Sequence, residues 1–222
     1  MFVARMQQPS IVFTNFTFYE PVTSITDFLI CIFCSVLAFK LLKIRSTYWS
    51  IFYFLLAISA LLGAFGHALF AYKDNILKLY SRIMMVFATL FAIFASTILL
   101  NKIFIKVTSF ILSIFLFAAA IYFLLKTNDF EVVKWYNAIG FVFFISVIQI
   151  FNIYKKKEGS KLILGGIIII IIAGIIHSMG ISFNVWFNKN EIAHSLSIIA
   201  LLIIYKGIFI STTNEESKYE TI

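Results

Sequence analysis

The stretch Leu162–Phe183 reads LILGGIIIIIIAGIIHSMGISF and contains no Asp, Glu, Lys or Arg. A helix that crosses the hydrocarbon core of a bilayer needs about 20 predominantly apolar residues, and this run is long enough. The stretch therefore predicts a transmembrane helix.

The composition of the whole chain is also strongly apolar. Of its 222 residues, 62% are hydrophobic and 13% are charged, and the mean hydropathy is +1.00. Soluble domains are about 45–50% apolar and about 25% charged. A soluble enzyme, a nucleic-acid-binding domain and a disordered chain are therefore excluded. The net charge of +8 comes from short basic clusters between apolar runs, which is typical of membrane topology rather than of nucleic-acid binding.

Six further apolar runs have the length of a membrane span. The break Asn101-Lys102 divides the third span from the fourth, and without it the count would be six. We predict an all-α integral membrane bundle of seven transmembrane helices, forming one domain over residues 1–222. A polar segment 1–24 precedes the spans, which cover about 26–210, and a polar tail 211–222 follows. The predicted spans are Thr26–Leu42, Tyr48–Tyr72, Leu77–Leu100, Ile103–Leu125, Val133–Tyr154, Leu162–Phe183 and Glu191–Ile210.

The distribution of Lys and Arg predicts the orientation of the bundle. With the N-terminus outside and the C-terminus inside, 11 of the 18 Lys and Arg residues fall on the cytoplasmic side and seven fall outside. Cytoplasmic loops of membrane proteins carry the excess of basic residues. We therefore expect the N-terminus outside and the C-terminus in the cytoplasm, in the cell membrane. The Ile, Lys, Phe and Asn usage is typical of an AT-rich bacterial genome, which points to a bacterial inner membrane.

The chain has only three histidines, and the predicted spans place all three at one depth. His67 lies near the end of span two, His177 near the end of span six and His194 near the start of span seven. At 1.5 Å of rise per residue, they lie roughly 9, 10 and 7 Å below the outer surface. Ionisable groups inside membrane spans are costly and are therefore candidates for function.

Acidic and amide residues occur at the same level. Glu20 and Asp27 mark the outer start of span one, while Asn190 and Glu191 open span seven. On a helix, Asn190 and Glu191 share a face with His194, since they precede it by four and three residues. Asp27 and Glu191 are the candidate catalytic acid/base residues. Asn190, Ser178 and Glu20 are candidates to support the site around the histidines.

Three imidazoles and a water form a common catalytic zinc arrangement. Zinc lowers the pKa of its bound water to about 7, which provides a nucleophile at neutral pH. The histidine layer therefore predicts Zn²⁺ bound by His67, His177 and His194 and hydrolysis of a lipid reaching the site from the outer leaflet. The alternative is a non-catalytic receptor-like or small-molecule-binding membrane protein, in which the histidines pack helices or bind a ligand. No nucleic-acid partner is expected, and the oligomeric state stays open.

Three short motifs resemble a known superfamily of seven-span hydrolases that contains alkaline ceramidases and progestin-and-adipoQ receptors. Its members bind zinc through one histidine near the end of span two and two near the start of span seven. Gly63-Ala-Phe-Gly-His67 is similar to the first segment, and Asn190-Glu191-Ile-Ala-His194 to the second. The segment Glu20–Asp27 is similar to the acidic start of span one in bacterial members. The resemblance implies a zinc-dependent hydrolase of a lipid amide or ester.

The sequence departs from that superfamily in three respects. The serine expected four residues before the span-two histidine is Gly63, and the first histidine of the span-seven pair is Asn190. The acidic residue expected in span three has no counterpart, since Asp74 precedes that span. His177 could supply the third imidazole from span six, which would make a rearranged site.

Overall fold

The computed structural model describes residues 9–69 and 76–220, with side chains up to Asn214. Two short strands precede seven helices. The fifth helix contains a π-helical segment, Gly140–Ser146, and is numbered here as one element. The elements are β1 (Ser10–Phe13), β2 (Phe16–Tyr19), α1 (Pro21–Lys43), α2 (Thr47–Ala68), α3 (Ile76–Thr97), α4 (Ile103–Thr127), α5 (Phe130–Tyr154), α6 (Ser160–Met179) and α7 (Lys189–Glu220).

Seven helices among the described residues are long and apolar enough to cross a membrane. The predicted all-α membrane bundle and its count of seven are therefore confirmed. Helix α3 ends at Thr97 and α4 begins at Ile103, so the polar pair Asn101-Lys102 lies in the connection between two separate helices. The six-span alternative is therefore wrong. The membrane setting explains why large apolar side chains lie on the outer surface of the bundle, since lipid replaces water around them.

The chain termini differ from the sequence prediction. The segment predicted to be merely polar contains an antiparallel hairpin in which Ser10 pairs with Tyr19 and Phe13 with Phe16. Helix α1 begins at Pro21, five residues before the predicted start of span one, because proline is well suited to the first turn of a helix. Helix α7 continues to Glu220 instead of ending at Ile210. Residues 1–8, 221 and 222 lie outside the described residues, as do Lys73 and Asp74.

The helices form a ring with one member outside it. Each helix packs against the next along the chain, and α7 closes the ring by packing against α1. Helix α3 also packs directly against α5, so α4 lies on the periphery. Helix α4 accordingly buries few side chains, namely Ser113, Ala120 and Leu124. Six helices, α1–α3 and α5–α7, therefore surround the interior of the bundle.

Because the helices alternate in direction, the histidines meet at one end of the ring. The end of α2, the end of α6 and the starts of α1 and α7 all lie at that end, beside the hairpin. We call it the histidine end. The α5–α6 connection lies at the other end, called the opposite end below.

Candidate functional site

A cavity of about 350 Å³ opens within the ring at the histidine end. Apolar side chains from the middle of the helices, including Phe52, Leu56 and Leu201, line part of it. Polar side chains from α1, α2, α3, α6 and α7 line the part of the cavity nearest the histidine end. These polar residues include Asp27, His67, Lys78, Arg82, His177, Asn190 and His194.

His67, in the last turn of α2, is held by Glu20. Its Nδ1 atom pairs with the Glu20 carboxylate, and Glu20 is only 5% exposed. Burial opposes the charged form, but the hydrogen bond from His67 and the positive charge of Lys78 outweigh it and hold the pKa of Glu20 below its ordinary value. A carboxylate can only accept, so Nδ1 of His67 carries the proton. When the imidazole is neutral, Nε2 is the nitrogen with a lone pair.

His194, in the first turns of α7, is held from α1. The Thr26 hydroxyl donates to the carbonyl oxygen of Thr23 at 2.9 Å and lies 2.8 Å from Nδ1 of His194. The hydroxyl therefore accepts from the imidazole, which places the proton on Nδ1. Nε2 of His194 then presents its lone pair 3.5 Å from Oδ1 of Asp27.

His177, near the end of α6, reaches across to α7. Its Nε2 atom lies 3.1 Å from Oδ1 of Asn190 and donates to that amide oxygen. Its Nδ1 atom is buried and has no hydrogen-bond partner among the described residues. In the superfamily that the sequence resembles, a histidine is expected at the position of Asn190. His177 therefore bonds to the residue that replaces this histidine.

The three imidazoles thus share one pattern. Each has one ring nitrogen hydrogen-bonded to a protein oxygen, and in the neutral imidazole the other ring nitrogen carries a lone pair. Metal-binding histidines usually show this arrangement, because the outer acceptor fixes the tautomer and the ring orientation. The donor chemistry therefore fits zinc. As they are placed, however, no three His, Cys, Asp or Glu side chains in residues 9–69 and 76–220 converge closely enough to bind one metal ion.

The Asp27 carboxylate packs closely against Gly63. A Cβ atom added at Gly63 would lie 3.0 Å from Oδ2 of Asp27 and 3.5 Å from Oγ of Ser81. Asp27 is 6% exposed and lines the cavity opposite His194. The glycine that departs from the superfamily pattern is therefore what makes room for a carboxylate from α1.

We predict that Gly63→Ala disturbs the site more than the fold. The new methyl group must push the Asp27 carboxylate by a few tenths of an ångström, while the helix gains about 1 kcal/mol of propensity. Stability measured by thermal melting should change by no more than about 1 kcal/mol. Any activity that depends on Asp27 should fall by about tenfold, because small misplacements of reacting groups are costly.

Gly174→Ala is the matched control for this prediction, since a Cβ there meets nothing within 4 Å. It should leave activity unchanged. Equal loss of activity in the two variants would show that Gly63 has no special role beside Asp27.

Three of the predicted site residues do not line the cavity: Glu20, which bonds to His67, and two others, Glu191 and Ser178. Glu191, which is 1% exposed, accepts from the Thr23 hydroxyl and, at 2.6 Å, from the backbone N–H of Asn188. It does not line the cavity, although Asn190 and His194 on the same turn do. Ser178 lies outside the cavity and accepts from Nζ of Lys134 at 3.3 Å. Both side chains hold helices in place.

The sequence offered a signal for the role of Glu191. Asn188 is the residue before α7, and Glu191 is its third helical residue. Their spacing is that of a capping box, in which the third residue bonds back to the backbone of the cap. The Asn188 side chain completes the box by accepting from the N–H of Asn190 at 2.9 Å.

Lys78 and Arg82 are two of the seven basic residues that the sequence predicts on the outer side, and both line the cavity from α3. The charge of Lys78 interacts with the carboxylates of Glu20 and Asp27. Arg82 donates to the backbone and side-chain oxygens of Asn128 at 2.5 and 2.7 Å. Lys78 and Arg82 lie in the first two turns of α3, and His67 lies in the last turn of the preceding span. Counting residues from the connection between the two spans therefore places both basic residues at the depth of His67.

Comparisons with known proteins assign the chain to no named activity. A family model described as a family of unknown function (DUF6962) matches residues 22–212, which contain every residue that lines the cavity. The chain matches no curated protein and no solved structure. The resemblance to the ceramidase and adipoQ-receptor superfamily stays a prediction.

Proposed function

This chain belongs to DUF6962, a family of unknown function, and from that premise we propose that it is a zinc-dependent membrane hydrolase of a lipid amide or ester. The observation that carries the proposal is the shared pattern of the histidines. His67, His177 and His194 come from three helices and line one cavity, and each has one ring nitrogen bonded to a protein oxygen, so the other ring nitrogen is the candidate zinc ligand.

The contact between Asp27 and His194 supports a cation at this place. Nε2 of His194 and Oδ1 of Asp27 are 3.5 Å apart. With the proton of His194 on Nδ1 and Asp27 ionised, both facing atoms are acceptors. Two buried acceptors at this distance repel each other unless a proton or a metal ion lies near both. A divalent cation beside the three imidazoles meets that need.

His67, His177 and His194 would hold the zinc ion, with Glu20, Thr26 and Asn190 fixing their orientation. Bound zinc supplies Lewis-acid activation of water and of a carbonyl group. Asp27, at the cavity wall, accepts and returns a proton as the general acid/base. The apolar part of the cavity wall, which lies toward the middle of the helices and includes Phe52 and Leu56, excludes water and receives the apolar part of a lipid substrate.

In this proposal the histidine end faces outward and the C-terminus lies in the cytoplasm, in the cell membrane. The distribution of Lys and Arg supports the orientation. The substrate then enters from the outer leaflet. The motifs at Gly63–His67 and Asn190–His194 support the choice of a ceramidase-like hydrolase over other zinc enzymes.

A second candidate is a receptor-like or small-molecule-binding protein without catalysis. The favouring observation is that the described His, Cys, Asp and Glu side chains do not converge on one metal position as placed. The same cavity, with its amide, hydroxyl and charged groups, would then bind a polar ligand directly.

Metal content separates the two candidates. Protein purified in detergent without chelator should contain about one zinc per chain by elemental mass spectrometry. His67→Gln and His194→Gln should each lose it, because two remaining imidazoles bind zinc weakly. Ser178→Ala, which alters a polar residue outside the cavity, should keep it. Absence of metal from wild-type protein would overturn the hydrolase proposal and favour the ligand-binding one.

A further inference from the structure

A second pocket lies at the opposite end of the bundle, around the connection between α5 and α6. Its volume is about 400 Å³. Residues 156–159 of the turn form its wall together with one residue near the end of α5, the first residues of α6 and one residue of α7. The lining residues are Ile153, Lys156, Lys157, Glu158, Gly159, Lys161, Leu162 and Ile210.

The pocket is basic. Lys156, Lys157 and Lys161 line it, and Glu158 is its one acidic lining residue among those the structure describes. The Glu158 carboxylate accepts from the side-chain amide of Asn214 on α7, so that hydrogen bond draws it toward the neighbouring helix. Lysine side chains at the wall of a pocket attract a phosphate group.

The backbone fixes this arrangement. Lys156 and Gly159 both have positive φ angles, of 56° and 79°, which turn the chain sharply into α6. A Cβ at Gly159 would collide with the carbonyl oxygen of Gly207, so the turn packs directly on the α7 backbone. The start of α6 also contributes the positive end of its helix dipole. The pocket is therefore held by main-chain packing.

The other side of the pocket is apolar and adjoins the lipid-facing surface. Ile153, Leu162 and Ile210 line it. Tyr154 is 82% exposed beside it, as expected of an aromatic side chain at a membrane interface. Lys155, the remaining lysine of the run, lies over the Phe151 ring at 4.4 Å and does not line the pocket. An amphiphile suits these walls better than a free ion.

We propose that this pocket binds the phosphate headgroup of an anionic phospholipid, with the lysines on the phosphate and the apolar wall against the glycerol and upper acyl chain. Basic pockets between transmembrane helices bind such headgroups in other membrane proteins. The proposal is independent of the histidine cavity, because the two sites lie at opposite ends of the bundle.

The test is lipid retention by native mass spectrometry, with phosphatidylglycerol and phosphatidylcholine as probes. The pocket variant is Lys156→Gln with Lys161→Gln. The control is Lys102→Gln with Lys106→Gln, which removes the same charge at the same end of the bundle, away from the pocket. A lysine beside an anionic headgroup is worth about fivefold in affinity, so the loss of two pocket lysines should weaken phosphatidylglycerol binding by about 25-fold. Lys102 and Lys106 do not line the pocket, so the control should keep the wild-type affinity for the retained lipid.

Several outcomes would overturn the proposal. Equal weakening in both double variants would show general surface attraction, and equal retention of phosphatidylcholine would show an unselective apolar contact. Inorganic phosphate that raises the Tm of the wild type as much as phosphatidylglycerol does would show a free-phosphate site. If the double variant fails to fold, Lys161→Gln alone is compared with Lys102→Gln, and the same lipid selectivity must fall.

Discussion

Glu191→Ala is expected to lower the free energy of unfolding by about 2–4 kcal/mol. The change leaves the Thr23 hydroxyl and the Asn188 N–H without their acceptor in a buried place, which costs about 1–3 kcal/mol. It also removes the capping box that starts α7, at about 1 kcal/mol. Thermal or denaturant unfolding in detergent, followed by Trp fluorescence, measures the loss.

The matched control is Glu131→Ala on α5. Glu131 is exposed and pairs with Lys134 one turn on, and such surface pairs contribute about 0–1 kcal/mol. Its removal should barely change stability. If Glu191→Ala left stability equally unchanged yet abolished hydrolysis, the structural role would be wrong. Glu191 would then act on the substrate, as the sequence alone allowed.

The depth of the site was predictable from the sequence because depth in a membrane helix follows from counting. Each residue adds 1.5 Å, and lipid requires long apolar runs whose ends are easily seen. His67, His177 and His194 could therefore be assigned to one layer, and the structure places them around one cavity. The seven helices followed from the same rule.

The direction in which each side chain points was harder to predict. Asn190, Glu191 and His194 are close on the helix surface, yet Glu191 turns toward Thr23 on α1 while the other two line the cavity. Successive residues of an α-helix point about 100° apart around the helix axis, so the rotation of α7 about its axis decides which of them face the cavity. The sequence does not determine how α7 is rotated relative to α1. The contact spans 168 positions of the chain.

Other features were not predicted from the sequence because they depend on contacts between segments that are far apart in the chain or because their local signal is weak. Gly63 was noted only as a departure from a family pattern, because the carboxylate that needs its space lies on another helix. The hairpin before Glu20 was missed because its strands have only four residues each. Thr26 was overlooked as the partner of His194, since a threonine in an apolar span has no distinctive signal.

Asp27→Asn is expected to lower kcat/KM for the proposed hydrolysis by about 10²–10⁴-fold while zinc stays bound. The amide keeps the size of the side chain beside Gly63. The fold should therefore be unaffected. An amide cannot take up a proton from water, so the acid/base step is lost. The measurement is hydrolysis of fluorescent N-acyl and O-acyl lipids in mixed micelles, with zinc content determined on the same samples.

Asp129→Asn is the matched control for this substitution. Asp129 caps α5 by accepting from the N–H of Glu131 at 2.9 Å, and asparagine caps a helix about as well as aspartate. This variant should keep full activity. Normal hydrolysis by Asp27→Asn would remove Asp27 from the acid/base role. Loss of zinc together with activity would instead make Asp27 a metal ligand, because a carboxylate 3.5 Å from His194 is close enough to share a cation after a small side-chain rotation.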